Sequence, residues 1–359
     1  MFPPCRYLQW ARRFYGQVRF DLATSGIPSV PYGDLHVAER PEIDDAAAAW
    51  TALRQAIAAH NDVGVDEVLP ALGTTHALWL ALAALTSPGD EVIVETPAYE
   101  PLIRIAEGVG ARVVSVPRDP RTRFAIDPER IARAMTPRTR AIVVTNLHNP
   151  SGVRAGDDVL REVARSAESR GASLVVDEVY AAFDSLVDEG GVFRGSARKL
   201  SPNVVAVSSL TKCYGLGLER VGWVLGPREM VERAGDALMA SAGMLPHSHT
   251  RVACAAFSQL PALAARTRSM LARKRERVAR WVGSRGLPWS EPAEGIFGLV
   301  TVPGRGDLTA AIEEAAREHQ VLVAAGSFFG LPDSFRIAWS ISEDRLDEGL
   351  DRLAGALHL

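Results

Sequence analysis

Lysine is scarce in this chain. Of 359 residues only three are lysine, Lys199, Lys212 and Lys274, and arginine carries almost all of the positive charge. Chemistry that needs a free amine therefore has few positions to use. Cysteine is as rare: Cys5, Cys213 and Cys254 are odd in number, far apart and without a C-x-x-C spacing, which argues against a disulfide framework or a zinc site. No apolar window reaches the length of a membrane span, and the arginine-bearing N-terminus lacks a long apolar core. A cytoplasmic protein with no membrane partner is expected. A formal net charge of -3 and the absence of any basic run give no footing for nucleic-acid binding. Internal repeats and low-complexity linkers are missing too.

What is present is an ordinary globular composition, 47% apolar and 23% charged, on a chain long enough for two domains sharing a substantial core. Pro4 to Gly16 suits a short helix with Leu8, Trp10, Ala11 and Phe14 on its packed face, and Asp44 to His60 a second, with Asp44 as a plausible cap and Ala47, Trp50, Leu53, Ile57 and Ala58 at helical spacing. Apolar runs then fall at Val68–Leu72, Val92–Val94, Arg112–Val116, Ala141–Thr145, Ser173–Val176, Val204–Val207 and Gly222–Leu225. Helical segments lie between most of them: Thr75–Leu85, Pro101–Gly108, Pro128–Ala134 and Asp157–Ser169. Short apolar runs separated by amphipathic helices predict an α/β fold with a mostly parallel sheet covered on both faces. After Pro227 the chain turns mainly helical to Arg285, interrupted near Leu245–His249, and then reads as short strands (Leu299–Val302, Val321–Val323, Phe335–Ile341) with helices. The expected division is an N-terminal segment over 1–44, a large domain over 45–240 and a smaller α/β domain over 241–359.

Against this background one lysine stands in a demanding place. Val204 to Val207 delivers Ser208, Ser209, Thr211 and Lys212 into a loop punctuated by glycine, and Arg220 follows eight residues after Lys212. A second apolar run, Val221 to Leu225, then returns to the core. An unpaired ammonium between buried strands costs several kcal/mol unless it is neutralised, paired or covalently used. Burial that lowers the pKa of a lysine also makes its amine a nucleophile, the usual route to a Schiff base. A plain surface-loop lysine is the alternative.

The ends of the other strands carry further candidates, since loops at strand carboxyl ends build the site in such sheets. Gly73-Thr74-Thr75 opens a helix, whose free N–H groups and dipole suit a phosphate, although Gly-Thr also makes a simple cap. Tyr99 can stack on a flat heterocycle or merely pack its loop. Asn149 sits in an Asn-Pro turn, a common device, behind a loop histidine, His148, that is given no role. Asp177 ends a fully apolar strand, an expensive place for a carboxylate without a cationic partner. A magnesium-binding Asp177–Glu178 pair competes for that reading, but no Gly-x-x-x-x-Gly-Lys accompanies it. Arg336 follows a Gly326–Gly330 loop in a chain rich in arginine.

The Ser209–Arg220 segment closely resembles the lysine motif of the class I/II aminotransferases, the fold-type I pyridoxal-phosphate enzymes: S-x-[ST]-K, a Gly-rich loop, then an arginine eight residues on. Gly73–Leu78, Pro97–Tyr99, Asn149–Gly152, Asp177–Tyr180, Arg336-Ile337 and Gly26–Pro28 are similar to further motifs of that family, in order along the chain. The resemblance implies an aspartate aminotransferase-like fold, a large domain with a mostly parallel seven-stranded sheet plus a smaller α/β domain. It also implies pyridoxal 5′-phosphate as cofactor, an amino-acid substrate, no metal and a homodimer. Lys212 would form the Schiff base, pass to an external aldimine and quinonoid with the substrate, and move the α-proton. Thr74, Thr75, Ser209 and Arg220 would hold the phosphate and Tyr99 would stack on the pyridine ring. Asn149 and Tyr180 would meet the phenolic oxygen, and Asp177 the ring nitrogen. Arg336 would grip the substrate carboxylate, with Gly26 beside the substrate.

Two departures bear on the reaction. Many members carry a tyrosine ahead of the second helix that reaches the partner subunit's phosphate; here the corresponding stretch is Glu42-Ile43-Asp44-Asp45-Ala46, with Tyr32 as one substitute. The N-terminal segment, from Leu8-Gln9-Trp10 to Tyr32-Gly33-Asp34-Leu35, resembles capreomycidine synthase-like enzymes of antibiotic pathways. That likeness brings in non-transaminating chemistry: loss or replacement of a β-substituent, or decarboxylating or oxidative deamination. A non-catalytic pyridoxal-phosphate sensor is the reading from another class; its mark would be an extra N-terminal winged helix, which is not expected from the stretch ahead of Gly73 with no basic recognition segment.

Overall fold

The computed structural model of the chain describes residues 3–35, 37, 45–183, 193 and 195–359. Helix α1, Arg6–Phe14, leads into strand β1, Phe20–Asp21. Helix α2, Ala46–Asn61, is followed by β2 (Val68–Ala71), α3 (Gly73–Leu85), β3 (Glu91–Thr96), α4 (Glu100–Gly108) and β4 (Arg112–Pro117). Then come α5 (Pro128–Ala134), β5 (Thr139–Thr145), α6 (Asp157–Glu168), β6 (Ser173–Asp177), β7 (Val204–Ser209) and β8 (Gly222–Leu225).

These seven strands from β2 to β8 make one sheet in the order β2-β8-β7-β6-β5-β3-β4. Only β8 runs against its neighbours. The central place of β5, β6 and β7 agrees with the sequence pattern. Strands that bury both faces need apolar residues at every position, and residues 141–144 of β5, 174–176 of β6 and 204–207 of β7 are all Ala, Val, Ile or Leu. One face packs under α2, α3 and α4 on a core that includes Leu53, Leu80, Val94, Val175 and Val207. The other face carries Ile93, Ile142, Val144, Leu174 and Val176 against Ile131 and Leu160 of α5 and α6.

The C-terminal part contains α7 (Arg228–Ser241), α8 (His247–Phe257), α9 (Leu260–Leu271), α10 (Lys274–Ser284), β9 (Phe297–Thr301), α11 (Thr309–Glu318), β10 (Val321–Leu322), β11 (Ala324–Ala325), β12 (Ser334–Ala338) and α12 (Glu343–Leu357). The expected long helical stretch is broken between α7 and α8, where the interruption was read, and again before α9 and α10. Helices α8 and α9 send Val252, Ala253, Leu260 and Leu263 into the first core, whereas Val278 and Val282 of α10 join a separate core with Val300, Ile312, Phe335 and Leu350. Strand β1 pairs in parallel with β10, Phe20 opposite Val321, so the N-terminal segment is bound to this C-terminal unit.

Two local expectations are corrected. On α1 the buried residues are Tyr7, Trp10 and Ala11, while Leu8 is 38% exposed. On α2 Ala49 takes the buried place and Ala47 is exposed. Asp45 caps α2 by accepting from the Ala47 N–H at 2.6 Å; Asp44, expected there, lies outside the described residues, as do Glu42, Ile43 and the side chain of Tyr32. Among the described residues no helix is long and apolar enough to cross a membrane.

Candidate active site

The carboxyl ends of β3, β6 and β7 and the start of α3 converge on one cleft, lined by Thr74, Thr75, Tyr99, Asp177, Tyr180, Thr211, Lys212 and Arg220 among others. About 550 Å³ of non-atom space, open solvent included, lies between these side chains.

Lys212 leaves β7 in a turn held from several sides. The Ile27 N–H donates to the Lys212 carbonyl at 3.2 Å, Thr267 donates its hydroxyl to the Cys213 carbonyl at 2.6 Å, and Leu210 N–H donates to Val221 at 3.1 Å. Gly26 lies against the lysine: a Cβ there would sit 3.3 Å from Lys212 Cδ. Burial, then the positive fields of Arg336 and Arg220, lowers the Lys212 amine from 10.5 to about 8. The other two lysines are engaged elsewhere, Lys199 with Asp62 and Lys274 with the Ile341 carbonyl at 2.6 Å.

At one end of the cleft, Thr74 donates to Ser209 Oγ at 2.8 Å, and Ser209 shares a 2.7 Å hydrogen bond with Thr211. Thr75 and Arg220 are exposed there, and Arg220 Nη2 donates to the Leu72 carbonyl at 3.3 Å. Gly73 makes room for that guanidinium. Its φ is +77°, and a Cβ would fall 2.6 Å from Arg220 Nη2 and 2.9 Å from Cζ. Gly73→Ala should therefore displace Arg220 and strain the start of α3, costing about 1 kcal/mol or more of stability. Affinity for an anion at this end of the cleft should fall about tenfold, the loss of a charge-assisted contact. Equilibrium dialysis with a phosphate-bearing ligand reads the affinity directly, and an unchanged value would mean that Arg220 takes no part in anion binding.

At the other end, Asp177 accepts from the Val179 N–H at 3.1 Å and is otherwise turned to the cleft. Burial pushes its carboxyl up from 3.8 to about 7, partly offset by the Val179 hydrogen bond and Lys212. Glu178 points away, accepting from Ser196 at 3.1 Å and from the Ala197 N–H. The two carboxylates thus serve different surroundings. Tyr180 donates to Ser25 at 3.0 Å. His148 bridges Ser151 at 2.6 Å and the Pro97 carbonyl at 2.8 Å, and burial holds it well below 6.5, so it is a neutral tie between two loops.

Asn149 and Arg336 lie behind the cleft wall and bind each other, Arg336 Nη1 donating to Asn149 Oδ1 at 2.7 Å. Arg336 is fully buried. Its other partners come from the N-terminal segment: Tyr7 Oη at 3.0 Å and the Ala23 carbonyl at 2.8 Å. Sequence reading missed Tyr7, Tyr15 and Ser25. Tyr7 meets Tyr99 edge-on at 5.6 Å, and with Tyr15, Ser25, Tyr99 and Lys212 it lines a second cavity adjoining the first. Nothing in the local spacing of α1 marks Tyr7; only its proximity to a residue 329 positions later does. Among the described residues no cluster could hold a metal ion.

The model of the family described as aminotransferase class I and II matches residues 41–353. The chain is 31% identical to capreomycidine synthase of Streptomyces vinaceus over 97% of this chain and 92% of that protein. It is 29% identical to a probable aspartate/prephenate aminotransferase of Thermus aquaticus over 82% and 77%. A crystal structure of a PLP-dependent aminotransferase from Streptococcus suis superposes with a TM-score of 0.89 over 99% of this chain and 98% of that one; at 23% identity this shows the shared fold.

Proposed function

Because the chain belongs to the aminotransferase class I and II family, whose cofactor is pyridoxal phosphate, we propose that Lys212 is its catalytic lysine and that it acts on the α-amino group of an amino acid. The observation that carries this reading is the only lysine of the chain that lines the cleft, with its amine lowered to about 8, in the same cavity as a buried carboxylate raised to about 7.

The residues fit the cofactor. Asp177 is a buried carboxyl with no ion pair among the described residues, and a protonated ring nitrogen would supply its cation. The hydroxyls of Thr74, Thr75 and Ser209, the start of α3 and Arg220 offer donors and positive charge to a phosphate. Tyr99 and Tyr180 line the same cleft, and Tyr180 and the side-chain amide of Asn149 would meet the ring's phenolic oxygen. When bound, pyridoxal phosphate supplies an aldehyde for the substrate amine and an electron sink for the charge left at the α-carbon. Asp177 keeps the proton on the ring nitrogen. Arg336, whose Nε is buried without a partner, takes the substrate carboxylate. Gly26 leaves room for the substrate beside Lys212. Lys212 Nζ takes the proton from the substrate α-carbon and, by where it returns that proton, helps select the product.

Transfer of the amino group to a ketoacid is the first reading. The relation to capreomycidine synthase favours a second, in which a β-substituent is lost or replaced, or the substrate is deaminated without transfer, within specialised (antibiotic) metabolism. A homodimer in the cytoplasm completes the proposal. The dimer is supported by the exposed Thr75 and Arg220 at one end of the cleft and by Leu218, an apolar side chain 73% exposed two residues before Arg220. Stopped-flow absorbance with a panel of amino acids, including cysteine S-conjugates and arginine-type substrates, tests the reading. Conversion of the cofactor to its amine form with stoichiometric ketoacid establishes transfer. Release of a β-group with the cofactor left as pyridoxal establishes the second reading, and a protein with no cofactor absorbance would end both.

A further inference from the structure

Arg336 is held by more than its expected neighbour. A guanidinium only donates, so at the 3.0 Å contact Tyr7 Oη must accept, and its own proton is free to go onward. Tyr15 Oη stands 2.6 Å away to receive it, and Tyr15 donates in turn to the Ala23 carbonyl at 3.3 Å. That same carbonyl accepts directly from Arg336 at 2.8 Å, which closes the ring. With Asn149 on Nη1, the guanidinium is fixed at both terminal nitrogens, while Nε is buried with no acceptor. Among the described residues no ion pair with a carboxylate neutralises this buried charge, so its missing partner is an anion.

Tyr7 is itself pinned. Its N–H donates to Glu100 Oε2 at 2.7 Å, and its ring packs edge-on against Tyr99 at 5.6 Å and Phe328 at 5.7 Å. We propose that Tyr7 is a positioning residue for substrate binding: its hydroxyl, backed by Tyr15, sets the plane of Arg336 and holds the guanidinium in one orientation for the carboxylate it binds. The proposal rests on the reading of Arg336 as the carboxylate-binding group.

Three probes on the holoenzyme test it. L-alanine and ethylamine, which differ by a carboxylate, are titrated by the change in cofactor absorbance; acetate is titrated by its effect on thermal unfolding. Tyr7→Phe keeps the ring and removes the hydroxyl. It should raise the half-saturating L-alanine concentration about tenfold, as loss of one hydrogen bond to a charged group predicts. Ethylamine should shift less than about twofold, and stabilisation by acetate should weaken. Tyr15→Phe leaves the direct contact in place and should give a smaller loss of the same carboxylate-specific kind; it decides the matter if Tyr7→Phe does not fold. Equal losses for L-alanine and ethylamine would make Tyr7 a packing residue only, and no loss, or tighter L-alanine binding, would also overturn the proposal. If neither amine alters the wild-type spectrum, the functional reading fails, and the acetate titration still decides the role of Tyr7.

Discussion

Replacing Lys212 with alanine should abolish activity, with a loss of at least about 10⁴-fold, because in the proposed role one side chain supplies both the covalent anchor and the proton-transferring base. The physical basis is the depressed pKa. With the amine at about 8, roughly a quarter of it is neutral at pH 7.5, against about a thousandth for an ordinary lysine. Neither remaining lysine can take over, since Lys199 is paired with Asp62 and Lys274 is tied to the Ile341 carbonyl. The variant should fold: Lys212 donates no hydrogen bond to another described residue through its side chain, and removing a buried amine relieves desolvation. Turnover measured with saturating cofactor decides the point. Residual activity within about tenfold of wild type would remove Lys212 from the chemistry.

Asp177→Asn should cost about two to three orders of magnitude in turnover, the usual scale for removing a preorganised charge from a dry site. It should also change how apoprotein stability depends on pH. The folded carboxyl, at about 7, lies above its unfolded value of 3.8, so the folded state binds the proton more tightly. Its contribution to stability is then complete below about 3.8 and is lost as pH rises toward 7. Asparagine does not titrate. The apo variant should therefore gain on the wild type across that window, by up to about 4 kcal/mol, and the gap should flatten above it. Loading wild type with cofactor should shrink the gap, because a cationic ring nitrogen stabilises the carboxylate. Chemical denaturation of apo and loaded forms from pH 4 to 8 measures this. A gap that does not change with pH would mean that Asp177 is ionised in the apoprotein.

Much of this site was legible before any coordinates. Strands buried on both faces write themselves as unbroken apolar runs, so the strand ends that carry Asp177 and Lys212 could be located within a residue or two. Gly73, required by the close approach of Arg220, and Asp177, a charge at the end of an apolar strand, are local signatures of distant requirements. What stayed hidden depends on contacts across the chain. In a helix as short as α1, spacing cannot choose between Tyr7 and Leu8 for the inner face; Arg336 and Glu100 make that choice, and neither is near in sequence. The attachment of α8 and α9 to the first core is likewise set by their packing on α2 and its neighbours, not by their own composition. The start of α2 was misplaced by two residues because its Asp45 cap acts through side-chain geometry that a neighbouring acidic residue could equally supply.

The most direct test is covalent. The purified yellow protein is reduced with borohydride, digested and mapped by mass spectrometry for the pyridoxyl-phosphate adduct. The account predicts one modified site, Lys212, with a single equivalent per chain and the visible absorbance lost on reduction. An adduct on Lys199 or Lys274, or none on any lysine of a protein that had bound the cofactor, would contradict it.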